Sequence, residues 1–238
     1  MKSSAAELES ASGRRAFWLR WVAANSIGEA LGLGAVALAG YLVVHHLTEP
    51  ATLPGRLAWA SLFVAFGAFE GAVVGWFQAS VLASALPELS RWAWTRRTIF
   101  GAVAAWALGM APSAVIGLLE VPGATAGPPA PGMPLPLEML LACALGLVAG
   151  PLLAAFQAPL LSAATGGKAW WLKANALAWA AGMPLIFLVA DRVPTGAGVA
   201  TIAGLVFATL LVTGALVGAV HGAFLVQRLG SSVLRSGH

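Results

Sequence analysis

GAVVGWFQ at residues 71–78 returns as GPLLAAFQ at 150–157 and as GALVGAVH at 214–221. Each copy reads small-x3-small-x2-polar: Gly71, Gly75 and Gln78; Gly150, Ala154 and Gln157; Gly214, Gly218 and His221. Residues spaced by three and four lie on one face of an α-helix, so each copy presents two small residues and one polar residue together. A second pattern precedes each copy. It is small-x3-Gly, at Gly28/Gly32, Ala105/Gly109 and Ala178/Gly182. Seven residues before the last glycine stand Asn25, Ala102 and Asn175. The two patterns together describe a helical hairpin used three times.

Composition places that hairpin in lipid. The chain is 59% hydrophobic and 9% charged, with a mean hydropathy of +0.85. A soluble domain carries about 25% charged residues, and a chain this apolar lacks the polar surface to stay dissolved. The net charge of +4 and pI near 10.0 do not point to nucleic acid. The basic residues sit in short segments between apolar runs, where they act as topology signals. The single cysteine, Cys143, excludes an internal disulfide and a cysteine metal cluster, and reads as a packing residue.

Six apolar stretches, at about 17–44, 57–86, 98–119, 137–162, 169–189 and 198–226, are long enough to cross a hydrocarbon core as helices. The expected fold is therefore all-α and membrane-integral: six transmembrane helices built as three parallel two-helix repeats with pseudo-three-fold symmetry. Two spans per unit bring every unit in with the same orientation, which is what makes the repeats parallel. The expected organisation is a tail at 1–16, a membrane domain at 17–226 with repeats at about 17–86, 94–162 and 168–226, and a second tail at 227–238. Eleven of the thirteen Lys and Arg residues fall at the two termini and in the loops at 87–97 and 163–173. Only Arg56 and Arg192 lie on the other side, so both termini are expected in the cytoplasm. Residues 1–15 show no cleavable apolar leader and read as tail. Trp18, Trp21, Trp92, Trp94, Trp170 and Trp171 begin the odd-numbered spans, and indole rings are expected at the headgroup level there. The segment 120–136 holds six prolines and reads as an extended outer linker.

The residues able to carry chemistry are few. Asn25, Gln78, Gln157, Asn175 and His221 lie at similar depths below the cytoplasmic ends of their spans, and would form a polar belt if the repeats close on one another. Such a belt serves as interhelical glue or as a ligand site. Glu29 lies four residues after Asn25, on the same face, and Glu70 falls near the middle of the second span. In the repeat register above their counterparts are Trp106 and Trp179 for Glu29, and Ala149 and Thr213 for Glu70. No Lys or Arg lies deep in any span to pair with them. A carboxylate in lipid costs several kcal/mol unless neutral, paired or wet, so Glu29 and Glu70 are the leading candidates for function. His45 and His46 fall at the outer end of the first span and read as interfacial.

The frame of Trp, small-x3-Gly and small-x3-small-x2-Gln resembles a group of functionally uncharacterised bacterial multi-span membrane proteins that run GAxxGxxQWxxLR. The matching stretches are Gly71–Gln78 and Gly214–His221, although this chain lacks the Trp after the Gln and the closing Arg. The resemblance implies architecture only and no activity; a multi-pass location in the bacterial inner membrane is expected.

Phosphate-binding, nucleophile-elbow, zinc-protease and CxxC motifs are absent, so no enzyme, catalytic residue, cofactor or metal is expected. The expected partners are membrane lipids, with another membrane protein or a second copy as further candidates, and not nucleic acid. Two functions remain open. One is a small permease or a lipid- or small-molecule-binding protein with an intramembrane polar site. The other is a structural or accessory subunit of a larger membrane complex with no chemistry of its own.

Overall fold

A computed structural model describes residues 10–48, 50, 52–119, 133–190, 192 and 196–236, with side chains left out for 112–119, 190 and 231–236. These residues form six α-helices and no strand: α1 (Ala11–His46), α2 (Leu53–Ala85), α3 (Arg91–Leu119), α4 (Leu135–Thr165), α5 (Ala169–Ala190) and α6 (Val199–Ser236). Five of them, all but α3, are long and apolar enough among the described residues to cross a membrane. The outer surface agrees with a lipid environment. Leu31, Phe69, Trp76, Phe100, Leu140, Val148, Phe207 and Val212 stand exposed on it, a density of apolar side chains that water does not tolerate.

Helix ends are set locally. The Ser10 hydroxyl accepts from the Gly13 N–H at 2.9 Å and starts α1, and Thr52 Oγ1 accepts from the Gly55 N–H at 3.4 Å to start α2. Pro54 and Pro136 occupy the first turns of α2 and α4, where no N–H is needed. Gly166 ends α4 at φ 71°, a backbone conformation open to glycine. α1 begins at Ala11 and α6 runs to Ser236, so helix extends into both segments expected as tails. The proline-rich linker lies almost wholly outside the described residues.

The helices pack in a closed ring. Each touches the next in sequence, and α6 returns to α1. The tightest neighbours are α2 with α3, α4 with α5, and α6 with α1, rather than the two helices of each expected hairpin. The motif glycines explain why. A Cβ on Gly71 would fall 2.8 Å from Ile99 Cα and 2.9 Å from Ala102 Cβ. On Gly150 it would strike the Asn175 carbonyl, and on Gly214 it would lie 2.6 Å from Asn25 O and 2.8 Å from Ser26 Cα. Each motif glycine therefore admits the backbone of the following odd-numbered helix, and lipid-embedded helices gain their contact energy through such close approach.

These contacts correct the register read from sequence. The three motif glycines face Thr98/Ile99/Ala102, Asn175/Trp179 and Asn25/Ser26/Glu29. Thr98, not Ala102, therefore stands where Asn25 and Asn175 stand, and Ala102, not Trp106, stands where Glu29 does. The glycine pairs shift with it. Gly28 abuts Val74 on α2, and Gly101 abuts Leu153 on α4. Gly32 and Gly182 are in contact with the next helix, whereas a Cβ on Gly109 would meet nothing within 4 Å. The glycine abundance of α3 offers two frames one helical turn apart, and only packing distinguishes them.

Candidate intramembrane site

The polar residues separate into two groups. The first lies at the end of the ring that holds both termini. There Trp94 Nε1 donates to Gln78 Oε1 at 3.1 Å, Trp171 Nε1 donates to Gln157 Oε1 at 3.0 Å, and Trp21 Nε1 donates to His221 Nδ1 at 2.9 Å. In each case the polar residue that closes the small-x3-small motif accepts from a tryptophan on the next odd-numbered helix. The amides continue inward: Gln78 Nε2 donates to Asn25 Oδ1 at 2.8 Å, and Gln157 Nε2 donates to Thr98 Oγ1 at 2.9 Å. A longer contact of 3.4 Å runs from Gln157 Nε2 to Gln78 Oε1. Asn25, Thr98 and Asn175 each donate back to the carbonyl four residues earlier, that of Trp21, Trp94 and Trp171.

These side chains form a buried hydrogen-bonded layer. Asn25, Gln157, Trp21, Trp94 and Trp171 are fully buried. The three indoles meet at the centre, with Trp171 6.3 Å from Trp21 and 6.2 Å from Trp94 between ring centroids. Ala79, Ala154, Ala158 and Ala174 make room for them. An indole is donor only, so His221 must accept at Nδ1, which requires a neutral ring with its proton on Nε2. The layer corrects the expectation for tryptophan: the second ring of each early pair fills the core, while Trp92 is 64% exposed. Trp-x3-polar at 21/25, 94/98 and 171/175 is the signal that marks these rings, since it sets the indole and the amide on one helix face.

The second group is Glu29 and Glu70. Both are buried on adjacent helices, at 2% and 7% exposure. Gly32 packs on the backbone of Glu70 and holds α1 and α2 together at this level. Trp106 Nε1 donates to Glu70 Oε2 at 2.6 Å, a short hydrogen bond. Gly67 admits the Trp106 ring, because a Cβ there would strike it. Glu29 Oε2 is buried and has no hydrogen-bond partner among the described residues. No Lys or Arg is buried among the described residues.

Glu70 also lines a cavity of about 340 Å³ on the side of the belt away from the termini. Its walls are Leu33 of α1, Ala102, Ala105, Trp106, Gly109 and Met110 of α3, Leu145, Ala149 and Leu153 of α4, and Trp179, Met183, Ile186 and Phe187 of α5. The open space beside Gly109 is part of it. The seven residues singled out from sequence therefore do not share one site. Asn25, Gln78, Gln157, Asn175 and His221 belong to the packed layer, Glu70 reaches the cavity, and Glu29 packs against Gly214 of α6. Trp106 was legible only as a repeat counterpart. Its bond to Glu70 joins residues 36 apart on two helices, and no sequence pattern marks it. Comparison with protein family models, with curated proteins and with solved structures finds no match for the chain.

Proposed function

We propose that the chain is a six-span protein of the bacterial inner membrane, with both termini cytoplasmic, that binds a small, largely apolar molecule between its helices as a permease or binding protein. α3 serves as the sixth span. The matched contacts of Gly71, Gly150 and Gly214 and the matched indole bonds to Gln78, Gln157 and His221 support three parallel repeats around a pseudo-three-fold axis. The observation that carries the function is the cavity itself. Its volume is at the small end of the range typical of ligand sites, and its walls are apolar with one convergent polar group. The indole layer fills the ring beyond it, so the cavity is a pocket and not a pore in this conformation.

Gly109→Leu tests this reading. The side chain enters open space, so the fold is retained while the cavity fills. Protein purified gently with native lipids is expected to carry a small molecule, visible by native mass spectrometry, that the Gly109→Leu protein lacks. Identical spectra from the two proteins would remove the case for a ligand site and favour the accessory-subunit reading.

A further inference from the structure

We infer that the occupant of the cavity is a hydrophobic organic cation, such as an aryl-alkyl amine or a quaternary ammonium compound. The inference rests on reading the cavity as a binding site and adds the sign and chemistry of its ligand. Two carboxyls are buried on adjacent helices of an apolar ring, and no buried Lys or Arg is described that could offset them. Glu70 reaches the cavity wall, with one oxygen held by the Trp106 indole. Glu29 adds a buried oxygen that has no partner among the described residues. The walls around the carboxyl are the surfaces a soft cation prefers: the indoles of Trp106 and Trp179, the ring of Phe187, and the thioethers of Met110 and Met183. Aromatic faces attract ammonium groups, and more strongly once both are out of water.

Other ligand classes fit less well. A metal ion needs several oxygen, nitrogen or thiolate donors at short range, and Glu70 is the sole ionisable residue in this wall. An anionic lipid headgroup meets charge of its own sign. A purely neutral apolar molecule fills the volume but offers the Glu70 carboxyl no partner of opposite charge.

The test uses the full chain in nanodiscs, with benzyltrimethylammonium as the cation and neopentylbenzene as its neutral carbon isostere. Binding is read by equilibrium dialysis after subtraction of empty discs of the same lipid. Wild-type protein is expected to bind the cation saturably and at least about tenfold more tightly than the isostere. Glu70→Gln keeps the shape and the acceptor for Trp106, and is expected to abolish that preference while changing neutral binding less than about twofold. Trp106→Leu supplies a second reading if the Gln protein does not fold, since loss of the ring should weaken the cation more than the isostere. Gly109→Leu should exclude both. Equal binding of cation and isostere, unchanged by Glu70→Gln or Trp106→Leu, overturns the cation and leaves the cavity as a site for neutral molecules. Absence of saturable binding of either probe to wild-type protein defeats the binding-site reading and the cation with it.

Discussion

Gly214→Ala and Gly109→Ala make the same covalent change in two helix interiors, and their difference isolates the contact between neighbouring helices. Helix propensity favours alanine by about 1 kcal/mol at both positions and cancels in the comparison. At Gly109 the new methyl meets nothing within 4 Å. At Gly214 it falls 2.6 Å from Asn25 O, 2.8 Å from Ser26 Cα and 2.9 Å from Glu29 Cβ. Two of these are backbone atoms of α1 and cannot rotate away, so α6 must back off by several tenths of an ångström along its tightest interface. Overpacking of this kind costs about 1–3 kcal/mol. The displacement also loosens the 2.7 Å bond from Ser26 Oγ to Leu211 O and the 3.0 Å bond from Trp18 Nε1 to Ala219 O. With the same propensity gain of about 1 kcal/mol at both positions, Gly214→Ala should be about 0–2 kcal/mol less stable than wild type and Gly109→Ala about 1 kcal/mol more stable, a difference of about 1–3 kcal/mol. Unfolding in mixed micelles by rising detergent mole fraction, followed by tryptophan emission, measures both. Stabilities of the two variants within about 0.5 kcal/mol of each other, or a greater loss at Gly109, would refute the packing argument.

Gln78→Leu removes the acceptor for Trp94 and the donor to Asn25, and should cost about 1–4 kcal/mol at roughly 0.6–2 per interhelical bond; retention of wild-type stability in the same unfolding assay would show that the layer is not glue. His221→Gln installs the amide found at the two matching positions and should keep Trp21 bonded, leaving stability within about 1 kcal/mol of wild type, whereas His221→Leu orphans that indole and should shift its near-ultraviolet circular dichroism; equal effects of the two changes would contradict the Trp21–His221 bond. For topology, with Cys143 replaced by Ala, an impermeant thiol reagent applied to intact cells should label Thr52→Cys but not Ser90→Cys. Outside labelling of position 90 would reverse the assigned orientation.

The helices were legible because lipid leaves the backbone no other choice. Apolar length alone located all six, to within a few residues at most inner boundaries. The ends were less legible, since α1 starts at Ala11 and α6 continues to Ser236 in sequence whose polarity says nothing about helix once it is outside hydrocarbon. Most of the polar layer was legible. Asn25, Gln78, Gln157, Asn175 and His221 stood out as polar residues in apolar runs, but Thr98 did not. Threonine is common in spans, and the expected frame of α3 placed Ala102 there instead. The buried tryptophans were assigned to the interface because indole is stable in both settings, and composition cannot say which way a ring at a helix start will face.

The sequence by itself determined that the chain is helical and membrane-embedded, that the same small-x3-small face recurs three times, and that Glu29 and Glu70 are the carboxyls in need of an explanation. These are local properties, set by hydropathy and helical period. Tertiary structure decided the partners. It chose the α3 register in which Gly71 fits against Ile99 and Ala102, turned Trp21, Trp94 and Trp171 onto His221, Gln78 and Gln157, and left the room beside Gly109 that becomes the cavity. The reason is steric. Small residues permit close approach but do not say which helix approaches, so a chain with 28 glycines holds many possible contacts, and only the closure of the ring selects among them.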